Sequence, residues 1–382
     1  MKIVEAISDT NIGGAGVLLL NRLKHSHTEK HAYHVILPEG SDLRERLLDM
    51  NVRVWTVKSG KDHSFSWRAI AQYRSLLRRI RPELVNCHGD LSCRIAAWLC
   101  GVPCRIYTRH CAYEPSRWQT KFPGKWLVGI AQRILSHHAI AVAHAARENL
   151  VQTGTDPRRI TVIINGSEAM SPLPEAEKQC LREKLRIPQD AIVIGICARL
   201  EACKDHITFL RAAELLLRRS KQYRFLVVGD GSLAEELRAW CQVHHIESYV
   251  IFTGFAEDVS PYFTLMDVNV NCSVGTETSS LALSEGMSLG IPSVVSDYGG
   301  NPYMVQHEVN GLVYPQRRAD LLADAVERLT HDRPLYERLS QNAHRRFEEE
   351  LNVGQMTEKT EKLYEELFRQ RQMPKASVAT EK

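Results

Sequence analysis

The chain contains no uncharged apolar run approaching the roughly 20 residues that span a bilayer, so any membrane contact is expected to be peripheral. Its opening places Glu5, Ser8 and Asp9 where a secretion signal needs an unbroken apolar core, so no secretion is expected. None of the ten cysteines falls in a C-x-x-C pair, which sets aside the usual zinc and redox patterns and leaves reduced, cytosolic thiols as the better reading. No internal repeat occurs, so a solenoid is excluded.

What is present is an ordinary globular composition, 44% hydrophobic and 25% charged over 382 residues, long enough for two domains of about 150 residues or more. The charge is uneven. Residues 1–168 hold 24 Lys and Arg against 14 Asp and Glu, whereas residues 169–382 hold 25 against 31. A basic first half suits an anionic partner such as nucleic acid or a lipid surface, or is simply a solvated face, and composition does not choose among these.

Short apolar runs bounded by turn residues alternate with helical patterns, the habit of parallel sheets covered by helices on both faces. Strands are expected at 3–7, 34–37, 52–57, 84–87, 105–108, 139–142 and 160–164. Over 67–80, Ile70, Leu76, Leu77 and Ile80 recur at helical spacing while Arg74, Arg78 and Arg79 fill the other face. After Asn165-Gly166 the chain turns loop-like, and the alternation restarts with strands at 192–197, 225–228, 250–253, 268–271 and 293–296 and helices near 207–219, 234–243 and 282–289. The domains are therefore expected at 1–168 and 175–355. A long helix at about 356–371 follows, then a disordered tail at 373–382.

Glu277 and Glu285 stand eight residues apart at an expected loop-to-helix junction. At about 1.5 Å per helical residue they lie at most roughly 12 Å apart, so they address different parts of one extended ligand. Between them Ser279, Ser280 and Leu281 would present backbone N–H groups at a helix start, where phosphate binds well. The plainer alternative is a cap residue and a surface helix residue. Arg199 and Lys204 follow the strand 192–197, and open parallel sheets bind ligands outside the carboxyl ends of their strands. A guanidinium fork beside an ammonium suits a diphosphate, although two solvated loop cations would read the same.

The loop Asn11-Ile12-Gly13-Gly14-Ala15-Gly16 lets the backbone approach a ligand. It is not a full G-x-G-x-x-G and no acid closes the next strand, which disfavours dinucleotide binding. Gly229-Asp230-Gly231 reads mainly as strand-to-helix geometry. Two histidines among sixteen, His88 and His110, close expected strands, and His110 has Arg109 beside it.

In this order the pieces resemble the retaining glycosyltransferases of family 4, which have the GT-B fold: an α/β protein of two Rossmann-like doubly wound domains facing an interdomain cleft. The likeness rests on the Gly-Gly loop, His110, Asn165-Gly166, Arg199 with Lys204, Thr253-Gly254-Phe255, the Glu277 and Glu285 pair, and Asp297-Tyr298-Gly299-Gly300. It implies that Arg199 and Lys204 bind the donor diphosphate, Glu285 the ribose hydroxyls, and the Gly254-Phe255 backbone the base. Glu277 would hold hydroxyls of the transferred sugar, with His110 near its outer edge, and Gly13 and Gly14 would close over the phosphates when the domains come together, excluding water. The expected catalytic set is thus Glu277, His110, Arg199 and Lys204. No Asp-x-Asp occurs, so no metal or other cofactor is expected, and fixed cations supply the charge stabilisation.

The expected activity is transfer of a sugar with retention from a nucleoside diphosphate sugar, UDP-sugar favoured, to a hydroxyl of a glycan or lipid-linked intermediate of cell-envelope polysaccharide. Three places depart from the family pattern: Thr278-Ser279 where Gly-Phe is usual, Pro302-Tyr303-Met304 where Pro-Glu-Val is usual, and Ser167-Glu168 where Val-Asp is usual. Residues 51–150 hold 16 Lys and Arg against 5 Asp and Glu, and Arg117, Trp118, Lys121, Phe122, Lys125 and Trp126 interleave rings with cations. Residues 105–138 are accordingly a candidate for an anionic membrane surface, with an ordinary basic helix pair as the alternative. The expected location is cytoplasmic, peripheral on the inner face of the plasma membrane. The rival readings are a GT-B sugar nucleotide epimerase and a non-catalytic nucleic-acid binder; no nucleic-acid motif supports the second, so no nucleic acid is expected as partner.

Overall fold

A computed structural model describes residues 1–8, 10, 14–58, 65–111, 113, 115–275 and 277–372; Gly13 and the tail at 373–382 lie outside the described residues. The chain divides into two compact units. One comprises Met1–Ile164 together with the chain from Val353, the other Asn165–Asn352.

The first unit is built on seven strands: β1 (Lys2–Ile7), β2 (Ala32–Pro38), β3 (Arg53–Val57), β4 (Leu84–His88), β5 (Cys104–Arg109), β6 (His138–Ala141) and β7 (Ile160–Val162). They lie in the order β3-β2-β1-β4-β5-β6-β7, every pair parallel. Such a sheet is covered on both faces, which is why Ile3, Val4, Ala6 and Ile7 of β1 are all buried. The helix Trp67–Ile80 forms where the 3.6-residue stripe lies. It opens on Ser66, whose hydroxyl accepts from the Ala69 N–H, and stops at Arg81 in the left-handed region (φ 53°). It buries Ile70, Tyr73, Leu77 and Ile80 against Val4, Ala6 and Val85, each large apolar side chain contributing about 2 kcal/mol.

The helix Val353–Gln372 belongs to this same unit. Its Tyr364 is fully buried, and its Glu361 carboxylate accepts from the Tyr33 hydroxyl at 2.7 Å and the His27 backbone N–H at 3.0 Å.

The second unit holds β8 (Ile192–Cys197), β9 (Tyr223–Val228), β10 (Val250–Gly254), β11 (Val268–Asn271), β12 (Ser293–Ser296) and β13 (Gly311–Tyr314), in the order β10-β9-β8-β11-β12-β13, again all parallel. This is the doubly wound order, with the direction of winding reversing between β8 and β11. The edge strand β13 was not anticipated: Gly-Leu-Val-Tyr is four residues long and gains strand character only by pairing with β12.

Candidate active site

The loops leaving β8 and β11 diverge at the reversal of the second sheet, and the crevice between them is where open sheets of this kind take ligands. Lys204 arrives on the β8 loop in a short 3-10 turn, Ala202–Lys204, ended by Asp205 in the left-handed region (φ 48°). Glu277 arrives on the β11 loop. The Val274 N–H donates to the Cys203 carbonyl at 2.9 Å, tying the loops together, and Lys204 Nζ lies 2.6 Å from Glu277 Oε2. Ser273 Oγ and Asn271 Nδ2 donate to that same oxygen at 2.7 and 3.3 Å, and Asn301 Nδ2 holds Asn271 Oδ1 at 3.3 Å. Burial pushes the Glu277 carboxyl upward, yet the Lys204 charge and these donors outweigh it, so its pKa lies below the ordinary carboxylate value.

The Gly299-Gly300 pair explains itself here. A Cβ on Gly300 would fall 1.5 Å from the Thr278 carbonyl oxygen, and one on Gly299 2.3 Å from that of Glu277, while the Gly300 N–H donates to the Glu277 carbonyl at 3.2 Å. Two residues without side chains let this turn clamp the backbone that aims Glu277. Gly229 and Gly231 do the same for the β8 loop, approaching the Ala198 and Leu200 carbonyls at distances no Cβ tolerates.

Arg199 is exposed, and no hydrogen bond or ion pair joins it to Lys204, Glu277 or Glu285 among the described residues. Glu285 lies on the helix Leu281–Ser288, near enough to the Cys197 thiol at the end of β8 to add to the upward push that burial gives that thiol. Its own carboxyl has no partner among the described residues, and burial pushes it up to about 7. Ser280 is the residue before that helix and makes no side-chain cap, Leu281 is its first residue, and the Ser279 hydroxyl is buried without a hydrogen-bond partner. Gly254 (φ 74°) ends β10, leaving Phe255 79% exposed.

In the first unit, Gly14 opens the helix Gly14–Lys24, and a Cβ there would meet nothing within 4 Å. His110 follows β5. Its Nε2 is 2.7 Å from Nδ1 of His88, which ends β4, and His88 Nε2 is 2.8 Å from Glu5 Oε2. Glu5 is wholly buried and also meets Arg22 Nη2 at 2.5 Å, Asn86 Nδ2 at 2.9 Å and the Tyr364 hydroxyl at 3.1 Å. Burial alone would raise its pKa, but Arg22 and then His88 bring it down to about 2. Burial, then the His88 charge, pushes His110 to about 3, so its ring is neutral at ordinary pH.

Within the second unit, then, Lys204 and Glu277 are in contact, while Arg199 follows β8, Phe255 follows β10 and Glu285 lies on the helix Leu281–Ser288, none hydrogen-bonded or ion-paired to them among the described residues; His110 and Gly14 belong to the first unit. Sequence reasoning missed Asn271, Ser273 and Asn301, which fix Glu277, and the Glu5–Arg22 pair behind His88. Only Glu5 carried a signal: a charge inside an otherwise apolar buried strand needs a partner.

Two parallel doubly wound units, with a cation–carboxylate pair at the reversal of the second, define the architecture of a GT-B glycosyltransferase. Comparison with known proteins agrees. The family described as Glycosyl transferases group 1 matches residues 177–346, and that described as Glycosyltransferase Family 4 matches residues 12–168. The chain is 28% identical over 307 residues to the UDP-Gal:alpha-D-GlcNAc-diphosphoundecaprenol alpha-1,3-galactosyltransferase of Escherichia coli, covering 78% of this chain and 79% of that one. In fold it is similar to a glycosyltransferase from Rickettsia africae (TM-score 0.85, 16% identity, 96% and 99% of the two chains) and to Anabaena Alr3699/HepE solved with UDP (TM-score 0.82, 19% identity, 96% and 100%). The chain belongs to glycosyltransferase family 4, the group 1 enzymes.

Proposed function

We propose that this glycosyltransferase moves a sugar from a UDP-sugar, with retention and without a metal ion, to a hydroxyl of a glycan or lipid-linked acceptor in envelope polysaccharide synthesis. The observation that carries the reading is the 2.6 Å contact of Lys204 with Glu277 at the sheet reversal. In a sugar diphosphate the phosphates and the sugar hydroxyls adjoin. An ammonium for the first and an ionised carboxylate for the second therefore belong side by side. Arg199, exposed on the same loop and without an ion-pair partner among the described residues, adds the second positive charge.

As the donor bond ionises, Arg199 and Lys204 stabilise the departing diphosphate, the N–H groups from Ser279 to Leu281 assist, and the acceptor attacks the same face. A leaving phosphate oxygen takes the acceptor's proton. Glu285 receives the ribose hydroxyls, the Gly254-Phe255 backbone the base, Gly13 and Gly14 the phosphates, and His110 the outer edge of the sugar. The UDP-galactose donor and diphosphoundecaprenol-linked acceptor of the Escherichia coli relative, and the UDP held by the Anabaena protein, favour uridine as the base and a lipid-linked acceptor.

Thermal-shift titration with UDP-, GDP- and ADP-sugars in the presence of a chelator tests this: UDP-sugars shift the transition, and Arg199→Ala or Lys204→Ala removes the shift. Anomeric NMR of the product tests retention. A shift that vanishes on chelation, or survives both substitutions, overturns the assignment.

The same reading places residues 105–138 against an anionic membrane on its cytoplasmic face. Among the described residues no helix is long and apolar enough to cross a membrane. The helix Gly124–Leu135 buries only Gly124, leaving Trp126, Leu127, Ile130 and Ile134 exposed beside Lys125 and Arg133. Co-sedimentation with anionic vesicles at low salt is the check, and no binding there removes this part alone.

A further inference from the structure

A cavity of about 640 Å³ opens in the first unit where β6 and β7 enter their sheet. His110 follows the opposite end of β5, roughly 15 Å away at about 3.3 Å per strand residue, so this cavity is separate from the site described above.

One wall is the helix Gly124–Leu135, which is seated on the rest of the unit by glycines. A Cβ on Gly129 would lie 2.4 Å from the Gly154 carbonyl oxygen, and one on Gly154 2.2 Å from that of Lys125. Backbone therefore packs on backbone, and the large side chains of the helix are left out of the core. Trp126 and Ile130 line the cavity instead, with Phe122, which is 84% exposed.

The cavity is also cationic and incompletely satisfied: Lys125 and Arg133 stand on that same helix, and Arg158 and Arg159 on the facing wall just before β7. Lys125, Arg133 and Arg159 have no ion-pair partner among the described residues, and Arg158 is paired at 2.9 Å with Asp156, the one acid lining the cavity. The Thr155 hydroxyl, on a residue only 9% exposed, and Arg159 Nη1 are both buried without a hydrogen-bond partner. Buried donors of this kind are ordinarily satisfied, so this pair, beside the two further cations Lys125 and Arg133, calls for an external acceptor.

We propose that this cavity holds the phosphate of an anionic phospholipid, whose acyl chains lie along the apolar face formed by Phe122, Trp126, Ile130 and Ile134. A phosphate supplies the acceptor oxygens that Thr155 and Arg159 lack and a counter-charge for Arg133, and charge-assisted bonds to it are the strong kind. Free phosphate would leave the exposed rings unexplained, whereas a lipid accounts for both walls. The inference rests on the membrane reading and sharpens it from diffuse attraction to a defined headgroup site.

The full chain is incubated with vesicles of phosphatidylglycerol and phosphatidylcholine at fixed salt, comparing wild type, the cavity double variant R133Q/R159Q, and the double variant R68Q/R78Q. The latter removes the same charge from exposed positions on the helix Trp67–Ile80. Each cation at a surface is worth about fivefold in binding, so the cavity variant is expected to bind about 25-fold more weakly and the other pair markedly less so. Turnover of a water-soluble acceptor stays unchanged in both, which shows that the fold is intact. Dihexanoyl phosphatidylglycerol is expected to displace the protein at concentrations where inorganic phosphate at matched ionic strength does not. Equal losses in the two double variants, or none in the cavity variant, overturn the cavity and leave membrane binding standing. Displacement by phosphate as good as by the short-chain lipid overturns the lipid assignment. Failure of the wild type to sediment removes the membrane reading and the cavity together, and leaves the transferase assignment untouched.

Discussion

His88 joins Glu5 to His110: one ring nitrogen is 2.8 Å from the Glu5 carboxylate and the other 2.7 Å from His110 Nε2. An ionised carboxylate only accepts, so His88 carries a proton on Nε2. Across the 2.7 Å contact one ring donates and the other accepts, so the protons His88 carries fix the tautomer of the neutral His110. Glu5 thereby sets which nitrogen of His110 is a donor. Glu5→Gln, nearly isosteric, is expected to redistribute the His110 tautomer, read by nitrogen-15 chemical shifts. It also leaves Arg22 buried without its counter-charge, an expected loss of about 3 kcal/mol in urea unfolding.

Glu5 also predicts an acid dependence. Its pKa falls from 4.5 to about 2 on folding, because the Arg22 charge and His88 together outweigh burial. The stabilisation is fully present above pH 4.5 and is lost as pH drops toward 2, amounting to about 3 kcal/mol when complete. Urea titrations at pH 5 and pH 3 are expected to show this loss in the wild type and a flatter response in Glu5→Gln. Parallel slopes would separate acid sensitivity from Glu5.

Lys204 and Glu277 act as one unit, so their substitutions are expected not to add. Lys204→Ala strips a buried carboxylate of its counter-charge and removes a diphosphate contact, weakening donor binding by roughly ten- to a hundredfold. Glu277→Gln alone removes the counter-charge of Lys204 and replaces one carboxylate oxygen, an acceptor for sugar hydroxyls, by an amide NH2 that only donates. In a double-mutant cycle read by donor affinity, the coupling is expected to be about 1–3 kcal/mol, whereas a value near zero would mean that the pair is idle when donor binds.

The strand ladder was largely legible. Strands β8, β11 and β12 occupy the residues that their apolar runs indicate, and Trp67–Ile80 is helical where its stripe is. These segments state their burial locally, through period and bounding turn residues. Strand β13 did not, because its pairing with β12 is a long-range fact. The same division holds at the site. Lys204 and Glu277 could each be singled out from their place after a strand, but their contact spans 73 residues, and nothing local announces it. Glu5 stood in plain view within β1, yet Arg22, His88 and Tyr364 become its partners only through the packing of a sheet and two helices around it.

Two glycines that look alike in the sequence have opposite structural roles, which gives a paired prediction. Gly300→Ala drives a Cβ into the Thr278 carbonyl and must displace the Glu277 loop, so about 1–3 kcal/mol of stability and most of the activity are expected to be lost together. Gly14→Ala meets open space at a helix start and is expected to keep or slightly raise the melting temperature. If Gly14→Ala nonetheless raises the donor KM, the loop acts on the ligand rather than on the fold. An unchanged KM would remove Gly14 from the donor site.

Glu285 gives the test with the clearest sign. Burial raises its pKa to about 7, so in the free protein it is half protonated at neutral pH. Ribose hydroxyls donate hydrogen bonds, and those stabilise the ionised form, so binding the donor is expected to pull the pKa down and release a proton. Donor affinity should therefore rise as pH increases from 6 to 8, and then level off once the carboxyl is ionised without help. Glu285→Gln is expected to bind more weakly with no slope over that range. Calorimetry at pH 7 in two buffers of different ionisation enthalpy measures the released proton directly. Release in the wild type that disappears in Glu285→Gln fits a carboxylate meeting the ribose, whereas identical proton counts in the two proteins would place the titrating group elsewhere.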